Sequence, residues 1–96
     1  MKGAKPVVFI VDDEHIARRK IRDYLAEETD VEVVGEAADG PEAVRGIRSA
    51  RPDLVFLDVQ MPGMDGFAVL EALALDPAPA IIFATAYEQY ALRAFE

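Results

Sequence analysis

Two carboxylates stand side by side at Asp12 and Asp13, a third stands at Asp58, and a hydroxyl stands at Thr85. Each follows an apolar run: "VVFIV" leads into the acid pair, "LVFL" into Asp58 and "AIIFA" into Thr85. Gathered carboxylates repel, and one takes up a proton unless a cation holds the set together. A few carboxylate oxygens, a backbone carbonyl and several waters suit Mg2+, which prefers a near-octahedral shell of oxygens. Beside such an ion a carboxylate can attack phosphorus to form an aspartyl phosphate, the metal offsetting the incoming charge. Asp58 is the acid placed for that attack, because the apolar run fixes it while the loop "VQMPGMDG" leaves it open to a donor. The Thr85 hydroxyl stands where it could bond a phosphoryl oxygen, and loop amides after Asp58 could add further donors.

Each group also has an ordinary explanation. An Asp after a strand often caps the next helix, and an acid before a Pro-Gly loop is common turn chemistry. Thr is frequent at strand ends. His15, the single histidine, reads as an exposed first-turn residue, and Met61 and Met64 read as loop packing. Coincidence favours the chemical reading: acids at two strand ends and a hydroxyl at a third meet on one edge if the strands form one parallel sheet.

The intervening segments supply that sheet. After Glu14, the residues Ala17, Ile21, Tyr24 and Leu25 recur at the spacing of an amphipathic helix. "VEVVGEA" makes the second strand. Gly40 at the cap and Pro41 in the first turn begin a second helix, whose buried side is Ala43, Val44, Ile47 and Ala50 and which Pro52 closes. "DLVFLD" is the third strand. Asp65 caps a helix from Gly66 with Phe67, Leu70, Leu73 and Ala74 facing inward, and "DPAP" breaks it. "AIIFAT" is a fourth strand, and "YEQYALRAFE" places Tyr87, Tyr90, Ala91, Ala94 and Phe95 on one helical face. Alternating strands and helices imply an α/β, doubly wound parallel sheet with right-handed crossovers. In the flavodoxin-like strand order 2-1-3-4 the first and third strands are neighbours, about 4.8 Å apart, at the switch point where ligands bind.

Composition narrows the rest. The 96 residues make one domain, and 52% hydrophobic residues can build a core. A net charge of -8, from 18 acids and 10 bases, repels phosphate backbones and disfavours nucleic-acid binding by this segment itself. No apolar run approaches the roughly 20 residues that span a bilayer, and no secretory pattern opens the chain. The absence of cysteine excludes disulfides and thiolate metal sites and fits a cytoplasmic protein.

"VDDE", "LVFLDVQMPGMDG" and "IIFATAY", in that order around alternating helices, resemble the receiver domain of bacterial two-component response regulators, over essentially the whole chain. The resemblance implies a CheY-like fold in which Asp58 accepts a phosphoryl group from the phosphohistidine of a sensor histidine kinase. It implies that Asp12, Asp13 and Asp58 hold Mg2+ with the backbone carbonyl of Gln60, Asp13 being the more direct ligand than Asp12. Thr85 becomes the switch hydroxyl, and the side chains of Gln60 and Tyr87 become candidates for setting the lifetime of the phosphate. Such a domain is a phosphoacceptor that loses its phosphate slowly, rather than an enzyme with a separate substrate. "TAYEQYALRAFE" resembles the subgroup joined to a LytTR-type DNA-binding domain, which implies a transcriptional regulator whose DNA contacts lie outside this chain. Phosphorylation would then move Thr85, bias the fourth helix with Tyr90, Arg93 and Phe95, and change dimerisation.

Receiver domains carry a fifth strand ending in a lysine, and a fifth helix. Here the last lysine is Lys20. The expectation is a chain, residues 1–96, cut short of those elements, with a bare edge at the fourth strand and self-association by edge pairing, by swapping of the last helix or through an exposed face. Two rivals stand beside this reading. One is a Mg2+-dependent phosphohydrolase, disfavoured because Gln60 occupies the position where a general acid would stand; the other is a receiver-like dimerisation module that is never phosphorylated.

Overall fold

The computed structural model describes residues 5–27, 30–74 and 78–83. Its elements follow the expected alternation: β1 (Val7–Val11), α1 (His15–Ala26), β2 (Glu32–Ala37), α2 (Gly40–Ala50), β3 (Leu54–Leu57), α3 (Gly66–Leu73) and β4 (Ala80–Phe83). The four strands form one sheet in the order β2-β1-β3-β4, and every neighbouring pair is parallel. The doubly wound, CheY-like sheet read from the sequence is therefore the observed one. The expected fourth helix, with Tyr87, Tyr90, Arg93 and Phe95, lies outside the described residues, as does Thr85. Among the described residues no helix is long and apolar enough to cross a membrane.

Successive residues of β1 serve opposite faces of the sheet, as the pleat requires. Phe9 and Val11 join Val55 and Leu57 of β3 under α2 and α3, where Ala43, Ile47, Val69, Leu73 and Met61 complete the larger cluster. Val8 and Ile10 meet Ile21 and Leu25 of α1 on the other face. Val8, Ile10, Val11, Ile47, Val55, Leu57 and Val69 are fully buried, each worth roughly 1.5–3 kcal/mol of hydrophobic stabilisation. That packing is what holds the carboxyl ends of β1 and β3 in place.

One irregularity has a consequence for charge. The pairing of β1 with β2 slips between Val8 and Phe9, so that Val33 lies opposite Val8 but Gly35 lies opposite Phe9. Val34 is the extra residue of this bulge, and beyond it the side chains of β2 change faces. Val33 packs on the α1 side while Ala37 packs on the α2 and α3 side. Glu36, opposite Ile10, is thereby turned towards α1.

Helix boundaries required small corrections. Asp39, not Gly40, caps α2: its carboxylate accepts the Glu42 N–H at 2.8 Å, and the Glu42 carboxylate accepts the Ala38 N–H at 2.8 Å. Asp65 caps α3 as expected, accepting the Ala68 N–H at 2.9 Å. Two aromatic side chains assigned to buried stripes are exposed, Tyr24 by 69% and Phe67 by 58%. Ile21 and Leu25, one turn apart, suffice to seat α1, and Tyr24 falls to the side of their row. α3 is apolar almost all round, so periodicity does not select its inner face. Contact selects Val69 and Leu73, while Phe67 lies over Phe83 with ring centroids 5.3 Å apart. Ala74 is an exposed left-handed C-cap (φ 43°) instead of a core residue.

Candidate functional site

β1 and β3 are paired up to Val11 and Leu57, and the ladder runs one bond further, from the Asp58 N–H to the Val11 carbonyl at 2.9 Å. Asp12 continues the ladder on its other side, its N–H donating to the Ala37 carbonyl at 3.1 Å. Both acids are thus set at one level by backbone hydrogen bonds. Carboxylate oxygens of Asp12, Asp13 and Asp58 all lie within 4.8 Å of one another. Asp12 and Asp58 are buried, at 6% and 7% exposure, and Asp13 is exposed.

The two buried acids are anchored alike. Asp12 Oδ1 accepts the Glu14 N–H at 2.9 Å, and Asp58 Oδ1 accepts the Gln60 N–H at 3.1 Å. Turn chemistry and site chemistry therefore coexist in these carboxylates: one oxygen organises the loop two residues on, which leaves the other for the cluster. Neither Asp12 nor Asp13 is the N-cap of α1; that position is Glu14, whose side chain makes no capping bond. Burial pushes the Asp58 carboxyl up to about 6, helped by the Asp12 charge and opposed by the Gln60 amide. Burial also raises Asp12, against the pull of the Glu14 amide. Two carboxyls that resist ionisation together are a site short of positive charge.

The loop after Asp58 is shaped at two glycines. Gly63 turns it with φ 83°, a conformation L side chains rarely adopt. Gly66 brings the start of α3 against the acid: a Cβ there would stand 2.5 Å from the Asp58 carbonyl oxygen. The Gly66 N–H donates to the Val59 carbonyl at 2.9 Å, closing the loop on itself. Met61 is buried in the core beneath and Met64 packs against it, as loop packing should. Gln60 is exposed at the site's edge. His15 is an exposed residue of the first turn of α1.

Two features of the site are invisible in local sequence patterns, and a third is legible only in part. Arg18 on α1 donates to the Asp12 carbonyl at 2.8 Å and pairs with Glu36 at 3.3 Å; Arg22, one turn on, binds the other oxygen of Glu36. In the sequence Gly66 marks the start of a helix and gives no sign of its close approach to Asp58. The burial difference between Asp12 and Asp13 follows from alternation, which could have been read from "VVFIVDD" had the facing elements been known.

The donors present are oxygens throughout, two of them on carboxylates that burial leaves uncompensated. Such a set suits a hard divalent cation and not a soft one. The fit is supported by the chemistry of the cluster, and the positions are those the sequence had singled out for a metal.

Residues 8–96 match the family model of the response regulator receiver domain. The chain belongs to that family. Among curated proteins, the receiver domain is similar to the transcriptional regulatory protein BtsR of Escherichia coli (strain K12). The two are 43% identical over 89 residues, which cover 93% of this chain and 37% of BtsR. The chain thus spans little more than a third of that relative's length. Among solved structures, it is similar to the response regulator domain of Thermotoga maritima CheB, with a TM-score of 0.77 and 32% identity, over 94% of this chain and 72% of that one. It is also similar to the CheX-CheY-BeF3-Mg+2 complex from Borrelia burgdorferi, with a TM-score of 0.78 and 31% identity, over 88% of this chain and 64% of that one. The receiver-domain fold accounts for the placement of the acids, at the carboxyl ends of adjacent parallel strands beside the switch point.

Proposed function

We propose that Asp58 of this receiver domain is phosphorylated by the phosphohistidine of a sensor histidine kinase, with Mg2+ held by Asp12, Asp13, Asp58 and the Gln60 carbonyl. The observation that carries this reading is the convergence of three carboxylates within 4.8 Å, two of them buried. Support also comes from the similar Borrelia burgdorferi complex, which contains Mg2+ and BeF3. When bound, the cation supplies charge neutralisation for the cluster and the incoming phosphoryl group. Asp58 has a raised pKa of about 6 and is still largely ionised at neutral pH, so it remains a nucleophile. Its oxygen forms the new bond to phosphorus as the bond to the donor's imidazole nitrogen breaks, and the imidazole takes up a proton. Ile16, on the first turn of α1 and 67% exposed, offers an apolar contact to a protein donor beside the acids.

In this reading the domain is a phosphoacceptor with slow loss of its phosphate, the Gln60 and Tyr87 side chains setting the lifetime and the Thr85 hydroxyl acting as the switch. The resemblance of the C-terminal stretch to LytTR-type regulators and the similarity to a transcriptional regulatory protein support a DNA-binding output outside this chain, with dimerisation as the readout and the cytoplasm as the setting. Intact mass after treatment with acetyl phosphate and Mg2+ tests the central step. A gain of one phosphoryl group, lost with EDTA and absent in Asp58→Asn, is expected. The same gain in Asp58→Asn would overturn the assignment.

A further inference from the structure

We propose that Arg18 is a positioning residue for the acid cluster, holding the peptide that joins Asp12 to Asp13, and that Glu36 and Arg22 hold Arg18. The proposal rests on the reading that this cluster takes Mg2+. It begins with the carbonyl of Asp12, which belongs to the same peptide plane as the Asp13 N–H. Rotation of that plane would move Asp13, the exposed member of the cluster, relative to Asp58. Arg18 donates to this carbonyl at 2.8 Å. On the preceding side Asp12 is already fixed through its N–H to Ala37 and through Oδ1 to the Glu14 N–H. The Arg18 bond is therefore what restrains the plane between the two acids from the carbonyl side.

The helix start makes that bond matter more. A helix usually begins on a side chain that satisfies a free N–H. The N-cap of α1, Glu14, provides none. What ties α1 to the end of β1 is instead the Asp12 carboxylate on the Glu14 N–H and the Arg18 guanidinium on the Asp12 carbonyl.

Arg18 is itself held. Its side chain is only 16% exposed, and its Nε pairs with Glu36 at 3.3 Å while its NH1 serves Asp12. Glu36 offers its second oxygen to Arg22. The planar fork of a guanidinium can make two such bonds in fixed relative directions, which a lysine ammonium cannot reproduce. Glu36 reaches α1 at all because the bulge at Val34 has turned it to that face. A backbone irregularity in an edge strand is thus connected, through one carboxylate and one guanidinium, to the geometry of the acid cluster.

Calorimetric titration of the chain with Mg2+, beside thermal unfolding without Mg2+, tests the assignment. Arg18→Met keeps much of the side chain's bulk and removes both bonds. Groups that orient metal ligands typically carry about 10- to 100-fold in metal affinity. A loss in that range is expected for Arg18→Met, with Arg18→Lys intermediate and Glu36→Gln weakened several-fold. A purely structural Arg18 would lower the melting temperature and leave the Mg2+ affinity of the folded chain unchanged; that result overturns the inference while the Mg2+ reading stands. Wild-type chain that binds no Mg2+ overturns both. Should Arg18→Met fail to fold, unchanged affinity in both Arg18→Lys and Glu36→Gln overturns the inference, and weakened affinity in the pair supports it.

Discussion

The turn after β1 and the loop after β3 do the same job by different means. Each begins with a buried acid whose Oδ1 accepts the amide two residues on. The first passes into α1 within three residues and is steadied by charged side chains reaching from α1 and β2. The second takes eight residues to reach α3 and is steadied mainly by backbone, with Gly66 set against Asp58, and by a capping carboxylate at Asp65. The contrast teaches how two acids at one edge of a sheet can differ in tolerance. Ion pairs can stretch and be re-formed by water, whereas a backbone contact at van der Waals limits has no room to yield.

The largest expected effect comes from breaking the backbone side of this contrast. Gly66→Ala places a methyl 2.5 Å from the Asp58 carbonyl oxygen, an atom that cannot rotate away. We expect a loss of about 3 kcal/mol, at the upper end for overpacking, together with loss of phosphoryl uptake. Urea unfolding measures the first and intact mass the second. Wild-type values in both would mean that the loop has slack and that the contrast is false.

A smaller effect, of opposite sign, comes from the charge the loops share. The folded-state pKa of Asp58, about 6, lies above its ordinary 3.8, so the folded chain binds a proton that the unfolded chain has released between those values. Metal-free stability should therefore fall as pH rises through that window and level off above about pH 6. Asp12, also raised, acts in the same direction. Asp58→Asn should flatten this dependence and, at pH 7 without Mg2+, stabilise the chain by on the order of 2 kcal/mol. Melting curves at several pH values check both. A stability that instead rises with pH would contradict the burial argument.

The smallest effect sharpens the comparison at the helix starts. Asp65→Ala should cost about 1 kcal/mol, because it removes a capping bond. Glu14→Ala should cost close to nothing, since its side chain caps nothing. Equal losses in chemical denaturation would show that α1 depends on Glu14 in some way other than capping.

Much of this was legible in the residue order. The runs "VVFIV" and "LVFL" announce strands buried on both faces, and their terminal acids announce the edge where chemistry belongs. Asp65 was legible as a cap because capping is local, a matter of three residues and one bond. The cap of α2 falls one residue before the expected Gly40, at Asp39, because both residue types are acceptable there. The stripe pattern points Tyr24 and Phe67 inward, yet both are exposed, because a helical stripe marks which residues are apolar, not how wide a contact the neighbouring elements offer.

What the sequence determined by itself, then, was the alternation of elements, the sheet class and the identity of the acids, because periodicity and apolar runs are written within a few neighbouring residues. What only the tertiary structure decided was the company those acids keep. Arg18 meets Glu36 across eighteen positions, Gly66 meets Asp58 across eight, and Glu36 faces α1 only because β2 carries a bulge. Such contacts depend on how whole elements pack, and packing is settled by the fit of surfaces that no single segment contains.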